Sequence, residues 1–212
     1  MSPDTFLFDL DGTLVDSLHD LATAMNLLRR ELELEPLAES QVRSYVGDGA
    51  TQLVKRGLGD IPFRQEYLQR FLSLYGEHLL DHSCLYPGIL DFLQAHRHQR
   101  LAVVTNKPIA YTLPLLAGLK LSSFFQVVVG GDSCREKKPH PLPVLHALEQ
   151  LGATAAAAVM IGDHHTDLRA GAAAGVRTCF CAWGIGRQGD APCDDLAITP
   201  HDLLRLYPGG CR

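Results

Sequence analysis

Short apolar runs alternate along this chain with stretches whose apolar residues recur every three to four positions. The runs cover residues 5–10, 101–105, 126–129, 157–161 and 178–182. Each is four to six residues long, and polar residues bound it, which is the pattern of buried strands. Helical spacing marks Leu142–Leu151. Strands alternating with helices predict a doubly wound α/β core, with helices on both faces of a parallel sheet.

About ninety residues separate the first two runs, far more than one crossover needs. The spacing predicts an insert at 16–84. Leu18, Leu21, Ala22, Met25, Leu28 and Leu32 lie on one helical face, and Ser17 with Asp20 resembles a capping box. Further helical patterns cover 39–46, 50–58 and 64–80. Tyr86, Pro87 and Gly88 signal a turn back to the core. The expected organisation is core (1–15), helical cap (16–84) and core again (85–212), with a loose tail at 208–212.

Composition adds exclusions. Of 212 residues, 46% are hydrophobic and 20% charged, a globular balance. Net charge is −5 with no long basic run, so neither nucleic acid nor an anionic membrane is an expected partner. No apolar stretch nears spanning length, and the N-terminus lacks a signal-peptide pattern. Six scattered cysteines read as reduced thiols of a cytoplasmic protein. His96, His98, His164 and His165 sit among polar residues and are expected to be mostly solvated. No feature bears on oligomeric state.

The chemistry collects just after the expected strands, where open parallel sheets place their sites. Asp9 and Asp11 end the first run one residue apart, so an extended strand sends both carboxylates to the same side. Two such charges repel unless a cation or a proton lies between them. Thr105, Asn106 and Lys107 follow the second run. Lys138 lies in a Lys-Pro-His-Pro loop before Leu142. Asp163 and Asp167 follow the fourth run. Carboxylate oxygens suit Mg²⁺, whereas a hydroxyl, free N–H groups and an ammonium suit phosphate oxygens. Both together describe a phosphoryl-transfer site.

The ordered set D-L-D-G-T, Thr105, Lys138 and G-D-x-x-x-D resembles the phosphatase branch of the haloacid dehalogenase superfamily. The insert falls where members with a helical cap of the first type carry theirs. The segments DLDGTLVDS, VGDGA, KKPHP and GDHHTDLRAGAAAG are similar to the phosphoglycolate phosphatases within it. The resemblance implies a Rossmann-like core, a Mg²⁺ cofactor and a small phosphorylated metabolite as substrate, with 2-phosphoglycolate the first choice. Other sugar phosphates, nucleotides or pyrophosphate use the same core, and a phosphomutase or a non-catalytic phosphate binder would share much of it. Asp9 is implied as nucleophile and Asp11 as general acid and base. Asp9, Asp11, Asp163 and Asp167 are implied at the metal. Thr105, Asn106, Lys138 and Gly12 are implied at the phosphate, and Gly47, Asp48 and Gly49 at the substrate from the cap.

Blander readings stand beside these. Thr105 and Asn106 could cap the helix after Pro108. Lys137 could replace Lys138. Asp167 could serve the helix dipole, and the loop at 47–49 could be an interhelical turn. Arg43, Lys55 and Arg56 are the cap cations that could meet a substrate carboxylate. A mobile cap would hinge near 15–17 and 84–88.

Overall fold

The computed structural model describes residues 3–209. Its elements in chain order are β1 (Thr5–Phe8), β2 (Val15–Asp16), α1 (Leu18–Glu31), α2 (Glu39–Arg43), α3 (Ala50–Gly57), α4 (Gln65–Glu77), β3 (Cys84–Leu85), α5 (Ile89–Ala95), β4 (Arg100–Val104), α6 (Ile109–Gly118), β5 (Val127–Val129), α7 (Leu142–Leu151), β6 (Ala158–Gly162), α8 (His165–Ala173), β7 (Arg177–Cys181), β8 (Asp195–Ala197) and α9 (Pro200–Leu206).

Six strands form a wholly parallel sheet in the order β5-β4-β1-β6-β7-β8. The first strand is central, and the crossovers run outward from it in both directions. Period-two alternation splits the strands between two cores. Phe6, Phe8, Val103 and Ile161 pack with Phe92 of α5 and Leu203 of α9. Leu7, Val104 and Met160 pack with Val144 and Leu148 of α7 and Ala170 of α8. Burial on both faces explains why these strands read as continuous apolar runs. Among the described residues, no helix is long and apolar enough to cross a membrane.

Helices α1 to α4 lie consecutively between β2 and β3 and pack on one another, α1 against α4 and α2 most extensively. β2 and β3 pair antiparallel, Val15 with Leu85 and Asp16 with Cys84. The two chain segments that lead to and from the helices are therefore one short ribbon.

The Ser17–Asp20 capping box does not form. Ser17 stands at the helix N-cap without a side-chain capping bond. Its hydroxyl instead donates to Asp11 Oδ1 at 2.6 Å. Asp20 is fully buried and accepts from the N–H groups of His82 and Ser83, at 3.0 and 2.8 Å, and from Ser83 Oγ at 2.7 Å. Burial alone would raise its pKa, but these donors outweigh it and hold the carboxyl below the usual range. The stabilisation is therefore complete above the unfolded pKa of about 3.9 and is lost as pH falls through the lower folded value. Asp20→Ala should lower unfolding stability at neutral pH by roughly 3 kcal/mol, read from the urea midpoint. An unchanged midpoint would show that this latch does not stabilise the fold.

The expectation for the histidines also needs correction. His98 is exposed, but His96 and His164 are buried. His96 stacks on Phe92 with centroids 4.0 Å apart and bonds the Phe92 carbonyl through Nδ1. Of the expected loose tail, Pro208 and Gly209 are exposed, and residues 210–212 lie outside the described residues.

Candidate active site

Backbone ladder bonds carry on past the strand ends and fix the site. Asp9 N–H donates to the Ile161 carbonyl at 2.9 Å, and Thr105 N–H to the Val129 carbonyl at 2.9 Å. Asp9, Asp163 and Asp167 are thereby gathered, each offering an oxygen within 4.8 Å of the others. All three are buried.

Lys138 is buried beside them. Its Nζ lies 3.0 Å from Asp9 Oδ1 and 2.6 Å from Asp167 Oδ1, and it donates to the Val104 carbonyl at 2.5 Å. Both carboxylate oxygens are within ion-pair distance but outside hydrogen-bonding angles, so they remain buried atoms without a hydrogen-bond partner. Lys137 is exposed, so Lys138 is the lysine that the fold brings to the aspartates. Asp163 is clamped by Thr13 Oγ1 at 2.9 Å and by the N–H of Gly186 at 2.7 Å. Gly12 is needed here. Its φ is +86°, and a Cβ would lie 2.1 Å from Asp163 Oδ2.

One ammonium against three carboxylates leaves an excess of two negative charges. Burial, then the Asp167 charge, pushes the Asp9 carboxyl up to about 6, against the opposing pull of Lys138. Asp163 is raised well above its ordinary value, by burial first and the Asp9 charge next. Burial alone would lower Lys138, but Asp167 and Asp9 outweigh it and hold the lysine charged. The excess charge, the all-oxygen donor set and the unpartnered oxygens fit a hard divalent cation.

Asp11 does not join this cluster. Lys107 Nζ lies 2.8 and 2.9 Å from its two oxygens and sits 4.4 Å from the centre of the Tyr75 ring. Each carboxylate of the Asp9–Asp11 pair thus has its own lysine. The sequence pattern displayed Lys107 beside Thr105 and Asn106, but only the fold shows that it reaches Asp11. The Gly184–Gly186 segment against Asp163 was likewise invisible, because no local pattern ties it to a residue twenty positions away.

Thr105 and Asn106 do not cap α6; the N–H of Ile109 takes Asp132 Oδ1 instead, at 2.8 Å. Thr105 Oγ1 accepts the N–H of Lys107 at 3.2 Å. The Asn106 amide donates to the carbonyls of Gly47 and Lys138, at 3.0 and 2.9 Å, and accepts the Lys138 N–H. Asp167 faces Lys138 and also accepts the His164 N–H at 3.0 Å, closing the first turn of α8. The first-turn role read from the sequence is thus seen, and the same carboxylate also faces the buried cluster.

A narrow pocket of ≈ 50 Å³ opens between the strand ends and the inserted helices. Asp9, Asp11, Thr105, Asn106 and Lys107 form its floor, and Leu21, Gly47, Gly49, Leu53, Phe71 and Tyr75 are part of its roof. The loop at 47–49 therefore faces the site rather than serving only as a turn. Asp48 itself is turned to Arg56, 2.6 Å away, and is not in the pocket wall. Arg43, Lys55 and Arg56 do not line the pocket either. Arg43 donates to the carbonyls of Gly184 and Ile185, and Lys55 lies over the Phe63 ring. Lys107 is the cation in the pocket wall.

The model of haloacid dehalogenase-like hydrolases matches residues 6–181. The chain belongs to this family. It is 39% identical over 209 residues to the phosphoglycolate phosphatase of Chromobacterium violaceum, covering 94% of this chain and 93% of that one. It is also 39% identical to the phosphoglycolate phosphatase of Aquifex aeolicus, covering 94% of each. A crystal structure of a predicted phosphoglycolate phosphatase from Haemophilus somnus superposes with TM-score 0.89 at 28% identity, over 97% of this chain and 98% of the other. The buried cluster lies at the carboxyl ends of β1, β4 and β6.

Proposed function

We propose that this protein hydrolyses 2-phosphoglycolate to glycolate and phosphate with Mg²⁺ as cofactor. Phosphatase activity follows from family membership and the curated relatives. The observation that carries the proposed substrate is the pocket. It is small, Asp9 and Asp11 lie on its floor, and Lys107, paired with Asp11, stands in its wall, where a substrate carboxylate would compete for it.

In this reading Asp9, Asp163 and Asp167 hold Mg²⁺, together with the Asp11 backbone carbonyl. The ion would offset the carboxylate charge and polarise the phosphoryl group. An Asp9 oxygen attacks phosphorus, and the bond to the leaving oxygen breaks with its electron pair. Asp11 gives that oxygen a proton. Asp11 then takes a proton from water, which attacks phosphorus and releases Asp9. Thr105 Oγ1 and the Asn106 N–H receive phosphate oxygens, and Lys138 balances the charge that gathers on them and on Asp9.

We assign residues 16–84 to a cap and residues 1–15 and 85–212 to the core, with the β2–β3 ribbon as hinge. Closure would place the 47–49 loop over the substrate and exclude water. Five described cysteines are free, which supports a reducing, cytoplasmic setting.

The test is phosphate release from a panel of small phosphate esters, with Mg²⁺ and with a chelator. The expected result is turnover that needs Mg²⁺ and has its highest kcat/KM for 2-phosphoglycolate, by about tenfold or more, the equivalent of ~1.4 kcal/mol in the transition state. A better ester would replace the substrate and keep the chemistry. Absence of release from every ester would overturn both.

A further inference from the structure

A second group of metal-ligating side chains lies beside the three aspartates. Asp48, from the loop between α2 and α3, meets His164 and His165 at the start of α8. Each offers one ligand atom, and these atoms lie within 4.8 Å of one another. We propose that these three residues form a second cation site, for a nitrogen-preferring transition ion such as Zn²⁺ or Co²⁺, which fastens the 47–49 loop to the core.

Three observations support the site. The donors differ in kind from the all-carboxylate cluster: two imidazoles and one carboxylate suit Zn²⁺ and its neighbours, whereas oxygen alone suits Mg²⁺. His165 Nδ1 is a buried polar atom with no hydrogen-bond partner among the described residues, a condition that native structures relieve with an ordered water or a bound ion. His164 is buried and its ring is oriented by Thr166, whose Oγ1 lies 3.0 Å and whose N–H lies 3.5 Å from Nδ1. In the tautomer whose Nδ1–H donates to Oγ1, Thr166 fixes the ring and Nε2 is left for a metal.

The loop is also held in place from both sides of Asp48. A Cβ on Gly47 would come within 2.7 Å of the His164 ring, so only glycine lets the backbone lie this close. The Gly47 carbonyl accepts from Asn106 at 3.0 Å. On the other side, a Cβ on Gly49 would stand 3.3 Å from the Asn106 carbonyl. Asp48 has two oxygens, so one can face Arg56, 2.6 Å away, while the other faces the imidazoles. An ion shared by Asp48 and the two histidines would hold the loop against the strand ends. It would slow exchange through the pocket and act as a reversible brake on turnover.

The experiment is equilibrium dialysis with Co²⁺ under saturating Mg²⁺, which occupies the carboxylate cluster, followed by the visible absorption of the bound Co²⁺. The wild type should bind a single equivalent with a nitrogen-ligand spectrum. His165→Ala should lose it, with affinity reduced by more than the roughly 10–100-fold that follows loss of an outer partner. Asp48→Asn should weaken it as well. His165→Ala should keep its Mg²⁺-dependent turnover, and Zn²⁺ levels that stop the wild type should leave it running. No Co²⁺ bound beside Mg²⁺, or equal binding by His165→Ala, would overturn the proposal. So would equal inhibition of both proteins by Zn²⁺, which would place the inhibitory ion among the three aspartates.

Discussion

Asp9→Asn should release phosphate at least on the order of 10⁴ times more slowly than the wild type, and should still fold. An amide is almost the same shape as the carboxylate but cannot attack phosphorus. No other carboxylate is placed to substitute, because Asp11 is held by Lys107 and Asp163 by Thr13 and Gly186. The variant should also melt no lower than the wild type when both are stripped of metal. Burial and the Asp167 charge push Asp9 up to about 6. A carboxyl raised above its unfolded value of about 3.9 costs the folded state stability as pH climbs from that value through 6. Above this window the cost levels off at ~3 kcal/mol, at about 1.4 kcal/mol per pH unit of separation. Asparagine removes that cost, though it also leaves Lys138 with one carboxylate fewer. Steady-state phosphate release and the metal-free melting midpoint at neutral pH check the two halves separately. Turnover near the wild-type rate would remove Asp9 as nucleophile, and a much lower midpoint would show that its charge stabilises the fold.

Lys138→Ala should damage activity and stability together. Lys138 touches Asp9, Asp167 and the Val104 carbonyl, all in the buried floor of the site. Without it, three carboxylates stay buried with no ammonium. Removing one side of a buried ion pair typically costs about 3–5 kcal/mol, and removing a cation aimed at a transferring phosphoryl group about 10²–10³ in kcat. The loss of stability in metal-free protein should be smaller at pH 5 than at pH 8, since acid neutralises Asp9, which burial raises to about 6, and Asp163, which burial raises as well. Lys138→Arg should not restore the site, because a planar guanidinium does not fit where an ammonium meets three oxygens so closely. Lys137→Ala, one residue away and exposed, should be near neutral. Urea unfolding at the two pH values and kcat for the three variants test this. A destabilisation independent of pH would mean that packing, not charge, is what Lys138 supplies.

How much the sequence disclosed depended on whether the signal was local. β1, β4, β5, β6 and β7 were legible because each is buried on both faces and reads as an apolar run. β8 escaped notice: its three residues begin with Asp195, and Leu196 is exposed, as suits an edge strand. Helix α7 has the bounds its spacing predicted, whereas α4 stops at Glu77, short of the apolar pattern that continues to Leu80. The site aspartates, Thr105 and Lys138 were legible as strand-end chemistry. Lys107 stood in the strand-end pattern without a role, because its partner Asp11 is 96 positions away. The Ser17–Asp20 pair had the right spacing for a cap, but the Ser17 hydroxyl donates to Asp11 instead, and Asp20 accepts from Ser83, 63 positions on. His164 looked solvated among polar neighbours, yet the 47–49 loop folds down over it.

The central place of β1 bears on how the chain is made. The strand that leads to Asp9 is made before both of its neighbours: β4 follows the whole helical insert, and β6 comes later still. Thr13 must wait 150 residues for Asp163, which is roughly 10–30 s at ordinary rates of synthesis. For that interval an apolar strand has both edges open, the condition under which chains stick to one another. The nascent chain therefore carries Asp9 well before the side chains that gather around it, and the cluster can assemble only once Asp163 and Asp167 have emerged.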